Sequence, residues 1–109
     1  MNVLFEEAFL KAVKKHASIR RQDQKKVDMI IDNPVAMGEP LKGNWRGFYS
    51  CPVKRRFIII YLYCKICRKE GDNMVVACSD CRETPDETIK FILLGPHDDA
   101  YAQVSNNPR

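Results

Sequence analysis

The stretch Phe57-Ile58-Ile59-Ile60-Tyr61-Leu62-Tyr63 is the strongest structural signal in this chain. Its residues are mostly β-branched or aromatic, which are the types that strands favour. A strand with one face in water alternates apolar and polar residues, whereas this run has no polar interruption. The run therefore predicts a central strand that is covered on both faces, with the rest of the fold built around it.

The segments on either side of this strand predict an α+β domain. Helical spacing of apolar residues precedes the strand, and shorter strand-like runs follow it. The expected architecture is two N-terminal helices packed on a small, mainly antiparallel sheet, with a short C-terminal helix. The expected elements are a helix carrying Phe5, Phe9, Ala12, Val13 and Ala17, a helix from about Arg20 to Asp32, strands at 74–77 and 89–94, and a helix over 98–102.

Length and charge limit the possible functions. A chain of 109 residues has room for one core, so we expect a single domain over 1–109. Residues 1–60 hold 12 Lys and Arg against 6 Asp and Glu, whereas residues 61–109 hold 6 against 8. This asymmetry is compatible with an anionic partner such as nucleic acid, and equally with a solvated helix surface.

Targeting signals are not evident in the sequence. The first residues carry Glu6 and Glu7 where a signal peptide needs a basic start, and the longest apolar run, Phe57 to Cys64, is far shorter than the roughly 20 residues of a membrane helix. We therefore expect a cytoplasmic protein without membrane contact, in which thiols stay reduced.

Two C-x-x-C pairs are the most specific chemical signal. Cys64 and Cys67 form the first pair, and Cys78 and Cys81 form the second. If residues 64–81 form a hairpin, its four sulfurs can surround one structural Zn²⁺. Reduced thiols on adjacent strands, disulfides formed during purification and a redox C-x-x-C are the alternatives, and Cys51 is expected to be a buried small residue.

Several short segments together resemble the RelE/ParE superfamily of bacterial toxins, the toxin halves of type II toxin–antitoxin pairs. Each segment is degenerate, but their order and spacing cover most of the chain. The C-x-x-C hairpin is not part of the usual pattern and would be an added element. The matching segments are Phe9–His16, Ile30–Pro34, Gly38–Ser50 with its G-x-x-L-x-G pattern, Arg56–Tyr61, and Leu94–Tyr101 with its closing G-x-H-x-x-x-aromatic pattern.

The resemblance implies a small sheet with two packed helices, and a partner antitoxin protein that neutralises the toxin. Members of the RelE branch cut mRNA in the ribosomal A site without a metal, by attack of a 2′-hydroxyl on the adjacent phosphate. Members of the ParE branch inhibit DNA gyrase, which is an alternative for this chain. A third hypothesis, from the cysteines alone, is a non-catalytic zinc-ribbon module that binds nucleic acid.

The resemblance also assigns candidate site residues. His97 matches a histidine of the closing pattern and would act as general acid or base, and Tyr101 matches its aromatic residue. Many ribonuclease members carry an arginine in the core strand where this chain has Ile58, so Arg55 or Arg56 would have to supply that cation from the turn. RNA contacts are expected from Lys54 and, in the loop before the core strand, from Lys42, Trp45 and Arg46. A loop histidine, core aromatics and a plain basic turn are the structural alternatives for these residues.

Overall fold

The computed structural model describes residues 1–54, 56–76, 78–97 and 100, and these form an α+β structure of five strands and five helices. Several of the helices are single turns. In chain order the elements are β1 (Asn2–Phe5), α1 (Glu7–Lys15), α2 (Arg20–Asp32), α3 (Pro34–Met37), β2 (Glu39–Pro40), β3 (Tyr49–Pro52), β4 (Phe57–Tyr63), α4 (Cys64–Lys69), α5 (Asn73–Val76) and β5 (Thr88–Pro96), with 3-10 turns at Ala17–Ile19, Gly43–Trp45 and Cys81–Glu83.

Strand β4 is the middle strand of the sheet, as the unbroken apolar run predicts. The strand order is β1-β5-β4-β3-β2. Strands β2, β3, β4 and β5 pair antiparallel with their neighbours, whereas β1 runs parallel to β5. The prediction of a mainly antiparallel sheet is therefore confirmed.

The sheet is covered on both faces. Alternate side chains of β4 belong to two hydrophobic cores, the first core on one face and the second core on the other. Ile59, Tyr61 and Tyr63 pack with residues of α1 and α2, which lie over one face. Ile58, Ile60 and Leu62 belong to the second core. That core continues into Cys64 and Cys67, so the segment after β4 folds back over the sheet face opposite α1 and α2.

The N-terminal helices pack on the sheet as expected, with one correction at the start. The bounds predicted for the second helix, Arg20–Asp32, are confirmed. Phe5, expected on the first helix, lies instead on β1, where its ring stacks on Phe91 at 5.2 Å. Ala17 lies in the 3-10 turn between the helices. Phe5 and Phe9 have helical spacing and their ring centroids are 5.7 Å apart, but they lie on different elements.

The strand expected at 74–77 is wrong for its described residues, 74–76, which are helical. The described residues of 64–81 therefore form no pair of strands, whereas the predicted role of this segment in zinc binding stays a prediction. Cys64–Lys69 and Asn73–Val76 are helical, and backbone N–H groups of Val75 and Val76 donate to the carbonyl of Asp72. Valines favour strands, but here Val76 packs as a helical side chain on the second core. The expected C-terminal helix over 98–102 falls largely outside the described residues. Across the described ranges, no helix is both long and apolar enough to cross a membrane.

Candidate functional site

One candidate site lies at the end of the sheet where β4 begins and β5 finishes. Phe57 and Pro96 are partners in the ladder there, so the residues flanking them meet. The backbone N–H of His97 donates to the carbonyl of Arg56 over 2.8 Å. Lys54 belongs to the same turn, because its carbonyl accepts from the N–H of Phe57 at 3.0 Å. The structure therefore brings together three residues that the sequence analysis selected from two distant segments.

Helix α1 adds cations and an imidazole to this end of the sheet. Lys11, Lys15 and His16 line a groove of about 250 Å³ against Gly95 and Pro96. The ring of His16 also meets Phe57 edge-on, with centroids 4.8 Å apart. We call this surface the basic groove: it is lined by Lys11, Lys15, His16, Gly95 and Pro96. Lys54, Arg56 and His97 are its neighbours through the backbone bonds of the Lys54–Phe57 turn and the ring contact of Phe57 with His16.

The basic groove can bind and act on a phosphate ester. Its ammonium and guanidinium groups can hold an anionic phosphate, and an imidazole can serve as general acid or base. Lys11 also forms an exposed ion pair with Glu7 at 3.0 Å, which a phosphate could compete for. The arrangement has the parts that general acid–base chemistry on a phosphodiester requires.

Sequence reasoning missed Lys11, Lys15 and His16. Lys15 and His16 are interpreted as part of the basic end of a helix, where positive charge complements the helix dipole, and Lys11 as a residue of its polar surface. Their spacing places Lys11 and Lys15 on one face of α1, but only the packing of α1 on β5 shows that this face borders the end of β5. The local sequence holds no sign of that contact.

The predicted RNA contacts Lys42, Trp45 and Arg46 are not part of the basic groove. Their 3-10 turn leads into β3, whose first residue pairs with Tyr61, near the end of β4. Tyr61 is four residues along β4 from Phe57, and four steps of a strand span about 13 Å. Arg46 Nε lies 2.5 Å from Asp72 Oδ1, and Trp45 packs against the second core. These residues hold the loop before β3 against the segment that follows β4.

Three further positions from the family resemblance, Arg55, Tyr101 and Ile58, do not add a described residue to the basic groove. Arg55 and Tyr101 lie outside the described residues, so their predicted roles stay predictions. Ile58, which occupies the position of the family's core-strand arginine, is buried in the second core. A cation for the groove must therefore come from the neighbouring turn or from α1.

The four paired cysteines meet at a second place. Cys64, Cys67, Cys78 and Cys81 line one small pocket, which we call the cysteine pocket. Burial raises the pKa of Cys64 and raises that of Cys67 to about 12. Cys51 is apart from them, buried in the first core, as expected for a small apolar residue. Burial also raises the pKa of the Cys51 thiol.

The architecture is the RelE-like toxin fold. The structure resembles a YoeB/ParE toxin from Agrobacterium tumefaciens with a TM-score of 0.64 and 14% identity, covering 89% of this chain and 99% of that one. YafQ from E. coli gives a TM-score of 0.59 at 16% identity, over 90% and 94% of the two chains.

A third similar structure is a complex. The E. coli DinJ–YafQ complex matches with a TM-score of 0.54 at 19% identity, over 92% of this chain and 97% of that one. No protein-family model and no curated protein matches the sequence. At these identities the likeness establishes the fold alone.

Proposed function

We propose that this protein is the toxin of a type II toxin–antitoxin pair and cleaves mRNA at the ribosome. The observation that carries the proposal is the 2.8 Å hydrogen bond from the His97 N–H to the Arg56 carbonyl, because it joins the expected proton-transfer residue to the expected cation. The fold supports the same class, since its solved relatives include YoeB/ParE and YafQ toxins.

The reaction follows from the groups around the basic groove. A 2′-hydroxyl attacks the adjacent phosphate, the P–O5′ bond breaks, and the products are a 2′,3′-cyclic phosphate and a 5′-hydroxyl. One imidazole takes the proton of the 2′-hydroxyl while an acid gives a proton to the leaving 5′-oxygen. His97 and His16 are the two imidazoles at the groove, with Tyr101 as the alternative acid. No metal takes part in this chemistry.

Cations of the basic groove stabilise the transition state. Negative charge grows on the phosphate oxygens during the attack, and positive groups that are already in place stabilise it most. Arg56 can form two parallel hydrogen bonds to a phosphate, whereas Lys11 and Lys15 act as point charges. Arg55 next to Arg56 could share this role.

The proposed protein partner is a cognate antitoxin, which blocks the toxin by direct binding. The related YafQ was solved with DinJ, so a protein of this fold forms such a complex. The ribosome and mRNA are the proposed targets. We expect growth arrest when the chain is expressed alone, and rescue when the antitoxin is expressed with it.

The test is cleavage of a defined mRNA on translating ribosomes by the purified protein. His97→Gln should slow cleavage about 100-fold or more, because a positioned acid or base contributes at least that factor. Arg56→Gln should also reduce cleavage, whereas Arg82→Gln, an exposed arginine of the Cys81–Glu83 turn, should not. Product ends should be cyclic phosphate and 5′-hydroxyl. Intact mRNA with the unaltered protein, or equal toxicity of H97Q, would contradict the ribonuclease.

Inhibition of DNA gyrase is the alternative target within the same fold. It predicts a DNA-damage response after expression, with mRNA left intact and no dependence on His97. A non-catalytic zinc-ribbon module that binds nucleic acid is the third hypothesis, and it predicts that removal of zinc abolishes binding. The ribosome assay with H97Q separates the two toxin activities directly.

A further inference from the structure

The cysteine pocket gathers four thiols from two separate turns of the chain. Cys64 and Cys67 lie three residues apart on α4, which puts both on one helix face, and both are buried. Cys78 and Cys81 come from the segment after α5 and are half-buried. Leu62 and Val76 complete an apolar lining. We propose that these four cysteines bind one Zn²⁺ as a structural tetrathiolate site.

The segment that carries the cysteines has little core of its own. Between β4 and β5 the chain makes an excursion of helices of six and four residues, too short to be stable alone. Among its described residues, the buried apolar side chains are Cys64, Cys67 and Val76. Small units that cannot bury enough apolar surface commonly use a metal or disulfides. A zinc site would supply the missing cross-link at the point where the cysteines already meet.

Charge around the pocket fits a tetrathiolate. When the four thiols bind Zn²⁺ and release their protons to solvent, the site carries a net charge of about −2. Lys90 is part of the pocket lining, and its side chain is only 5% exposed although it lies on the otherwise apolar β5. Arg68 Nη2 lies 3.6 Å from Cys81 Sγ. Each of these cations already has a carboxylate partner, Asp80 for Lys90 and Asp86 for Arg68. From these positions both would also offset part of the negative charge of a tetrathiolate.

The pocket needs a small closure before it can hold the metal. Within the described ranges, no three His, Cys, Asp or Glu side chains are already close enough to share an ion. Cys64 and Cys67 are fixed by the second core, so the Cys78–Cys81 turn is the part that would approach. Arg68 already ties α4 to this turn through hydrogen bonds to the carbonyls of Cys81 and Thr84. The two halves of the site are therefore held near each other before zinc binds.

Metal content of the purified full-length chain tests the proposal. The protein should contain about one zinc per chain when it is purified without chelator under reducing conditions. Replacement by Co²⁺ should give the thiolate-to-cobalt charge-transfer absorption and the visible bands of tetrahedral sulfur coordination. This measurement needs no variant, and it does not depend on toxin activity.

Cysteine variants locate the site. Cys81→Ser, at a half-buried position, should lower zinc affinity at least tenfold, and Cys64→Ser should do the same. Cys51→Ala is the matched control, because this buried cysteine lies in the first core on the other sheet face and should keep its full zinc content. Far-UV circular dichroism confirms that each variant is folded.

Three results would overturn the proposal. The first is a native protein without zinc whose thiols all react with a thiol reagent. The second is a mass lower by two or four hydrogens without bound metal, which would show that the cysteines form disulfides. The third is a C81S variant that is folded and keeps the zinc content of the unaltered protein.

Discussion

Asp23 is a charged residue that the fold buries, although the polar sequence around it predicts an exposed position. It stands on the polar-rich helix α2, yet its side chain is buried with Val27 and Ile30, and Oδ1 has no hydrogen-bond partner among the described residues. Burial raises the pKa of this carboxyl from 3.8 to about 6. Between those pH values the folded chain holds a proton that the unfolded chain has released. The free energy of unfolding therefore falls as pH rises through this window.

Asp23→Asn should remove this pH dependence. The ionised carboxylate at pH 7 costs on the order of 2 to 3 kcal/mol relative to acid pH, and an amide avoids that cost while still needing a hydrogen bond. We expect D23N to raise the free energy of unfolding at pH 7 by about 1 to 2 kcal/mol. Urea titrations from pH 4 to pH 7 measure both the gain and the flattened slope.

Asp28→Asn is the matched control, because Asp28 lies on the same helix but is exposed and accepts from Gln24 Nε2 at 3.0 Å. It changes the net charge equally and should leave the slope between pH 4 and pH 7 as it is. If D23N kept the slope of the unaltered protein, Asp23 would not be its source.

Gly38 is a second residue whose role only the fold shows. A Cβ on Gly38 would lie 2.2 Å from Tyr61 Oη, and that hydroxyl donates to the Pro34 carbonyl over 2.5 Å. Gly38→Ala should lower the free energy of unfolding by about 1 to 3 kcal/mol, because a fully buried tyrosine must shift and strain its hydrogen bond. Thermal or urea unfolding measures the loss.

Gly95→Ala provides the comparison, since nothing lies within 4 Å of the Cβ that it would add. Its φ is not in the left-handed region, so alanine should be neutral or slightly stabilising there. Equal losses for G38A and G95A would mean that loss of glycine itself, rather than the contact with Tyr61, is responsible.

At the scale of elements, patterns identified the long segments and missed the short ones. The apolar run predicted β4, and the proline after Asn33 predicted the end of α2. Strand β1 has four residues and only partial burial, so its sequence shows no alternation of apolar and polar residues from which a strand could be predicted. Helix α5 has two valines that favour strands, but tertiary packing on the second core decides its conformation.

Strand β1 contributes one aromatic side chain, Phe5, to the packing around the edge of the sheet. Phe5 stacks on Phe91 of β5 and also approaches Phe9 of α1 at 5.7 Å, so it joins three elements. Phe5→Ala should lower the free energy of unfolding by about 1 to 2 kcal/mol, since an aromatic pair adds to the burial itself. Hydrogen exchange of the β1 amides should accelerate in the same variant.

Leu4→Ala tests whether that effect belongs to Phe5. Leu4 is the neighbouring residue on β1 and is about as exposed as Phe5, 37% against 42%, but it has no ring to stack on Phe91. It should cost much less than Phe5→Ala. Equal effects would show that β1 contributes through its backbone ladder alone.

At the scale of the whole molecule, the two ends of β4 carry different features. The basic groove lies where β4 begins, and the cysteine pocket lies beyond where it finishes. The first is exposed and cationic, whereas the second is small and largely apolar. Proposed activity and proposed metal binding should therefore respond to different mutations.

Lys15→Gln and Arg46→Gln should change different properties of the protein, mRNA cleavage in the first case and stability in the second. Lys15 is an exposed residue of the basic groove, so K15Q should reduce mRNA cleavage with little change in stability. Arg46 pairs with the largely buried Asp72, so R46Q should lower stability by about 1 kcal/mol and leave cleavage intact. Paired assays of melting and mRNA cleavage measure this. The reverse pattern would place RNA binding at the loop before β3.

The sequence by itself determined the class of fold, the central strand and the two C-x-x-C pairs, because apolar runs and short spacings are local features. Only the fold brings the two cysteine pairs to one pocket. The sequence also identified His97 and Arg56 as candidates through a family resemblance. Only the tertiary structure decided that these two meet, that α1 adds Lys11, Lys15 and His16, and that Lys42 and Arg46 lie elsewhere. Those outcomes depend on strand pairing and on packing between distant segments, and a local pattern carries no information about either.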